Sequence, residues 1–125
     1  MLKNMANVFG VVFLLIGILG FVPGITSNGM LLGIFHVDAI HNIVHLLSGA
    51  VALYVGMTSA SASKTYFQVF GVVYALVAIL GFVDYGSDKL IGLMAINPAD
   101  TYLHVVIALV ALYLGFASKE EAAVA

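Results

Sequence analysis

Residues 8–22 read VFGVVFLLIGILGFV, and residues 69–83 read VFGVVYALVAILGFV. Eleven of the fifteen aligned positions are identical at this offset of 61. A second offset, of 59, lays residues 33–56 over 92–115 without a gap. It gives seven identities in 24, among them His45 with His104 and Tyr54 with Tyr113. Self-similarity at a fixed spacing marks a repeated supersecondary unit. The chain therefore reads as one domain over residues 1–125, with repeat one at about 5–57 and repeat two at about 66–117.

Each repeat holds two apolar runs, at residues 5–22 and 39–57 and again at 66–83 and 98–117. About 20 apolar residues in a helix cross a bilayer. None of the runs contains Lys, Arg or Glu, and their only acid is Asp100 in the first turn of the fourth. The runs are continuous rather than alternating, which selects helices over barrel strands. The expected fold is all-α: an integral membrane four-helix bundle built from two parallel helix–loop–helix repeats. Lys3 precedes the first run, so a cleaved leader is the competing reading there. No small-residue cleavage site follows, since the next residues are Pro23, Gly24 and Ile25, and a leader would not be a copy of the third helix. The first run is expected to stay in the mature protein.

The rest of the composition agrees. Of 125 residues 63% are apolar and 8% charged, with four Lys, no Arg and six acids. A soluble domain has about a quarter of its residues charged. The absence of Cys removes a disulfide scaffold. A net charge of −2 without a basic patch removes nucleic-acid binding. Lys3, Lys64 and Lys119 fall on one side of a four-span topology and Lys89 on the other. The positive-inside rule then predicts a multi-pass protein of the cell (inner) membrane with both termini cytoplasmic.

Helices in lipid pack through small residues, because the hydrophobic effect does not drive them together. Gly49, Ala52 and Gly56 share one face of the second helix, and Ala108, Ala111 and Gly115 share the matching face of the fourth. These matched faces predict that the second and fourth helices meet at the pseudo-two-fold axis. Gly10, Gly17 and Gly20, with Gly71, Ala78 and Gly81, would seat the first and third helices against them. Asp38 and Asn97 read as helix caps, the latter followed by Pro98 and Asp100. The apolar loop pieces Leu31–Phe35 and Leu90–Met94 are expected to fold over the bundle or lie in the interface.

His41 and His45 are spaced i,i+4, and Asp100 and His104 repeat that spacing at aligned positions. Converging ionisable groups inside a membrane suggest chemistry. His41, His45, Asp100 and His104 have the donor types of a zinc or copper site. His45 and His104 alone could hold a haem or pigment as cofactor. A proton or cation path is the remaining chemical reading, weakened because the cytoplasmic halves of the second and fourth helices carry only Tyr54 and Tyr113 as polar groups. The plainer reading, which is preferred, is that these residues cap helices and hydrogen-bond across the bundle, with no cofactor. His36 is expected to touch headgroups or solvent. Asp84, Asp88 and Lys89 read as a solvated loop, Lys119-Glu120-Glu121 as a solvated helix end, and the Tyr residues near helix ends as interface anchors.

At His41-Asn42-Ile43-Val44-His45-Leu46 and Asn97-Pro98-Ala99-Asp100-Thr101-Tyr102-Leu103-His104 the sequence resembles the prokaryotic membrane proteins of domain-of-unknown-function family 4383. The likeness extends to Gly17-Ile18-Leu19-Gly20-Phe21-Val22-Pro23-Gly24, to the loop Leu32-Gly33-Ile34-Phe35 and to Phe70-Gly71-Val72-Val73-Tyr74, and so covers nearly the whole chain. The resemblance implies a small four-helix membrane protein and no particular activity. The expectation is a non-enzymatic structural or accessory subunit, packed in the bilayer against other membrane proteins or copies of itself.

Overall fold

In the computed structural model, residues 1–85 and 88–118 are described, and Lys119-Glu120-Glu121 lie outside them. The chain is mostly helical. Four helices, α1 (Leu2–Leu19), α2 (Ala39–Thr58), α3 (Ala60–Val83) and α4 (Pro98–Leu112), carry the fold. A π-helical turn, Tyr113–Ala117, extends α4, and all four segments are long and apolar enough to span a membrane. α3 starts at Ala60, earlier than the apolar run suggests. Ser59 alone separates it from α2, and its hydroxyl caps α3 by accepting from Ala62 N at 3.0 Å. Lys64 is therefore a helical residue.

The main packing is within each consecutive pair, α1 on α2 and α3 on α4. This corrects the expected meeting of the second and fourth helices. A Cβ added to Gly49 of α2 would sit 2.7 Å from Leu14 N and 2.9 Å from Gly10 O, both backbone atoms of α1. On Gly115 it would sit 2.6 Å from Gln68 N of α3. The small faces thus seat each helix on its own antiparallel neighbour. Backbones in this contact have room for hydrogen and nothing larger. Gly10 against Leu53 and Gly71 against Leu112 complete the two seams.

The seams also satisfy helix ends. The last carbonyls of a helix have no partner within it. Asn7 Nδ2 donates to Gly56 O at 3.4 Å, and Gln68 Nε2 donates to Gly115 O at 2.9 Å. At the end of α4, Ser118 N reaches back five residues to Tyr113 O at 2.9 Å, which is the π-helical pattern.

What fills the centre is aromatic. Phe9 lies edge-on to Phe67 at 5.0 Å, and Phe13 lies edge-on to Phe70 at 5.5 Å, joining α1 to α3. Tyr74 is buried in the same cluster, and Tyr66 packs against it. Tyr66 therefore departs from the anchor role expected of tyrosines near helix ends, while Tyr54, Tyr102 and Tyr113 are exposed.

The loops add strands that the hydropathy pattern does not show. β1 (Thr26–Ser27), β2 (Met30–Leu31) and β3 (Phe35–His36) form a small antiparallel sheet, and β4 (Lys89–Leu90) pairs with β5 (Met94–Ala95). Ser27 pairs with Met30 across Asn28-Gly29, both at positive φ (54° and 76°). Asn-Gly in a two-residue turn is the strongest short hairpin signal, so this element was legible. Leu32 and Ile91 also take positive φ, each followed by a glycine that does the same.

Candidate functional site

The polar residues collect at the loop end of the bundle, and the first thing they do is tie the two helix pairs together. Asp38 caps α2, with Oδ1 accepting from His41 N at 2.9 Å. Its Oδ2 reaches the other loop and accepts from Ala95 N at 2.9 Å. Burial alone would raise the Asp38 pKa, but these two backbone donors and the nearby Lys89 charge together outweigh it and hold the carboxyl below the usual range. Asn97 caps α4 by accepting from Asp100 N at 3.0 Å, and Asp100 Oδ2 returns a bond from Asn97 N at 3.0 Å. The same Oδ2 accepts from His36 N of the first loop at 3.1 Å. Asn97 Nδ2 donates to Ile34 O at 2.9 Å. Each loop is thus stitched to the opposite helix start.

His36 is half-buried in this brace, with Nδ1 3.3 Å from Ile96 O, rather than turned to headgroups or solvent as its loop position suggests. Asp84 Oδ2 caps the far loop by accepting from Ile91 N at 2.8 Å. Asp88 and Lys89 are exposed.

Below the brace lie three histidines. His41, His45 and His104 are 1%, 7% and 2% exposed. The His41 ring is 4.5 Å from that of His45 and 6.1 Å from that of His104. Phe13 flanks His45 at 5.6 Å, and Tyr74 meets His104 edge-on at 5.4 Å. Asp100 is 2% exposed, and its carboxylate is directed to backbone N–H groups. Among the described residues no three His, Cys, Asp or Glu side chains are arranged to hold a metal ion.

The hydrogen bonding of the trio is incomplete. His41 Nδ1 lies 2.8 Å from Ala95 O. A carbonyl only accepts, so Nδ1 carries the proton, and Nε2 of the neutral ring is an acceptor. That Nε2 is buried without a partner, as are His45 Nδ1 and His104 Nδ1. Buried polar atoms are nearly always paired, so three orphans in one cluster call for an explanation.

Two lateral grooves end at these rings. One, of about 350 Å³, lies between α2 and α3 and is lined by His41, Ser48, Tyr66, Tyr74 and His104 among apolar residues. The other, of about 300 Å³, lies between α1 and α4 and includes Phe13, His45, Asp100, His104 and Ile107. Neither the grooves nor the orphaned nitrogens could be read from spacing alone, since both depend on which helices adjoin.

Four helices long and apolar enough to span a bilayer define a class, the multi-pass membrane protein. A family model described as "Domain of unknown function (DUF4383)" matches residues 3–117, and the protein belongs to that family. No curated protein and no solved structure matches the chain.

Proposed function

We propose that the chain is a non-enzymatic accessory subunit of the inner membrane, which packs against other membrane proteins or copies of itself. The observation that carries this reading is the brace. The side chains of Asp38, Asn97 and Asp100 are each committed to backbone groups that tie the loops to the helix starts. Rows of large apolar side chains face outward instead, such as Val8, Leu15 and Ile18 on α1 and Val69, Leu76 and Ile79 on α3. Extraction in mild detergent is expected to release the protein within a larger assembly or as an oligomer. A clean monomer from intact membranes would count against the reading.

The two helix pairs are parallel repeats in this proposal. Gly10–Leu53 and Gly71–Leu112 contacts support it, as do the paired amides of Asn7 and Gln68. The termini are cytoplasmic, following the lysine distribution. The chain has no Cys, so single introduced thiols report topology directly. In intact cells an impermeant maleimide is expected to label Lys89→Cys, and Lys3→Cys only after permeabilisation. The reverse pattern would invert the orientation.

A further inference from the structure

Both loops end in a turn that breaks the usual sequence rule in the same way. Residues 31–34 are closed by Ile34 N donating to Leu31 O at 3.0 Å, and residues 90–93 by Leu93 N donating to Leu90 O at 2.9 Å. The second residue of each turn, Leu32 or Ile91, has a positive φ of 55° or 42° and is followed by a glycine. Left-handed backbone is unfavourable for bulky L-residues and worst for β-branched ones. The other turn of the first loop has the relaxed solution, Asn28 ahead of Gly29. Both repeats therefore keep a large aliphatic side chain where Asn would relieve strain.

These side chains do not serve the core. Leu31 and Leu90 are buried, whereas Leu32, Ile34, Ile91 and Leu93 are each more than half exposed. The tips are nevertheless aimed. Leu32 N donates to Ile25 O at 2.9 Å, and Ile91 N donates to Asp84 Oδ2 at 2.8 Å. Ile25 and Asp84 are equivalent positions at the offset of 59, so one device holds both turns. The level of the tips along the helices is also set. Leu32 borders the α1/α4 groove together with Ile16 and Leu103. The 18 residues of α1 span about 27 Å, less than the roughly 30 Å of a hydrocarbon core, which places Ile16 in the acyl layer. Leu103 adjoins Tyr102, whose ring meets Phe82 and Tyr85 in an exposed aromatic group of the kind found at the headgroup boundary. In the second loop Met94, next to Leu93, borders the α2/α3 groove with Val44 and Val73.

We propose that the two tips, Leu32 with Ile34 and Ile91 with Leu93, are a pair of wedges inserted into the surrounding leaflet, where their partner is the boundary between lipid headgroups and acyl chains. Burial of aliphatic surface in lipid offsets the backbone strain that the same residues would carry unrewarded in water. The composition selects lipid over a protein partner. Protein interfaces anchor on Trp, Tyr and Arg and underuse Leu, and the four tip side chains are uncharged aliphatics. With one wedge beside each lateral groove, the loop end of the bundle is fixed in depth and tilt.

The chain has no Trp, so a single introduced indole reports its own surroundings. Ile34→Trp and Leu93→Trp avoid the left-handed positions, and Ser27→Trp, exposed beside Asn28-Gly29, is the aqueous control. With the whole protein in phosphatidylcholine nanodiscs, both tip indoles are expected to emit at shorter wavelength than the control. They should lose most of their emission when the acyl chains are brominated and none to iodide in the water. The control should respond to iodide and not to bromine. Ile91→Asn gives a second measurement. Asn tolerates the left-handed backbone, so at a tip in water it would raise the thermal midpoint, and at a tip in lipid it is expected to lower it. Iodide quenching without bromine quenching at either tip would overturn the proposal and make that tip a surface for a water-soluble partner. A midpoint raised or unchanged by Ile91→Asn would overturn it too.

Discussion

Asp100→Ala is expected to destabilise the protein by about 2–4 kcal/mol, given about 1–3 kcal/mol for each buried donor left without its acceptor. One carboxylate oxygen serves two donors, Asn97 N within its own helix start and His36 N from the opposite loop. Alanine removes both bonds together and leaves no water-filled space to compensate at a residue 2% exposed. Asp100→Asn keeps an oxygen of the same reach and is expected to cost less. Asn97→Ala removes a helix cap and the tie to Ile34 O, with a cap worth about 1 kcal/mol. Reversible unfolding in mixed detergent micelles measures all three. Amide exchange at His36 should quicken in the alanine variant, because its N–H then has no acceptor. A stability within about 0.5 kcal/mol of wild type, the range of an ordinary surface change, would show that the brace contributes nothing.

Gly49→Val carries the second large effect, expected near about 3 kcal/mol, the upper part of the range for overpacking. The added Cβ would meet Leu14 N at 2.7 Å and Gly10 O at 2.9 Å, and neither is the end of a flexible side chain. Only a shift of α1 away from α2 makes room, and that shift loosens the contacts along the whole seam. Gly33→Ala provides the contrast. Gly33 has φ +71° and nothing within 4 Å of an added Cβ. Its cost is conformational alone, about 1–2 kcal/mol for a left-handed L-residue. The same unfolding assay separates the two. If Gly49→Val costs no more than Gly33→Ala, close backbone approach is not what holds the helix pair.

The histidines show how far spacing reaches. Residues four apart on a helix share a face, so the pairing of His41 with His45 follows from the sequence, and the alignment places His104 level with them. Asp100 aligns with His41 as well, yet it does not join the rings. Its side chain is drawn back to the helix start, because the N-terminal N–H groups of α4 need an acceptor. His36 belongs to the brace because a small sheet, absent from the hydropathy pattern, positions its N–H toward Asp100. Asn28-Gly29 is the one local signal of that sheet. The remaining strands are two residues long and carry no period to detect.

The copy of residues 8–22 at 69–83 and the scarcity of charge determined, unaided, that the chain has four apolar helices in a bilayer and where its polar groups gather. Helix length and burial follow from local composition, and lipid imposes them on any apolar run of sufficient length. Which helices adjoin was decided only in three dimensions. A face of Gly and Ala announces close contact without naming its partner, and in lipid no hydrophobic gradient selects one. Backbone contact at Gly10 and Gly49 set α2 on α1, and at Gly71 and Gly115 set α4 on α3. The one-residue turn at Ser59, the aromatic wedge of Phe9, Phe13, Phe67 and Phe70 and the crossed carboxylates then hold the two pairs together, with His41, His45 and His104 each keeping a buried nitrogen without a partner.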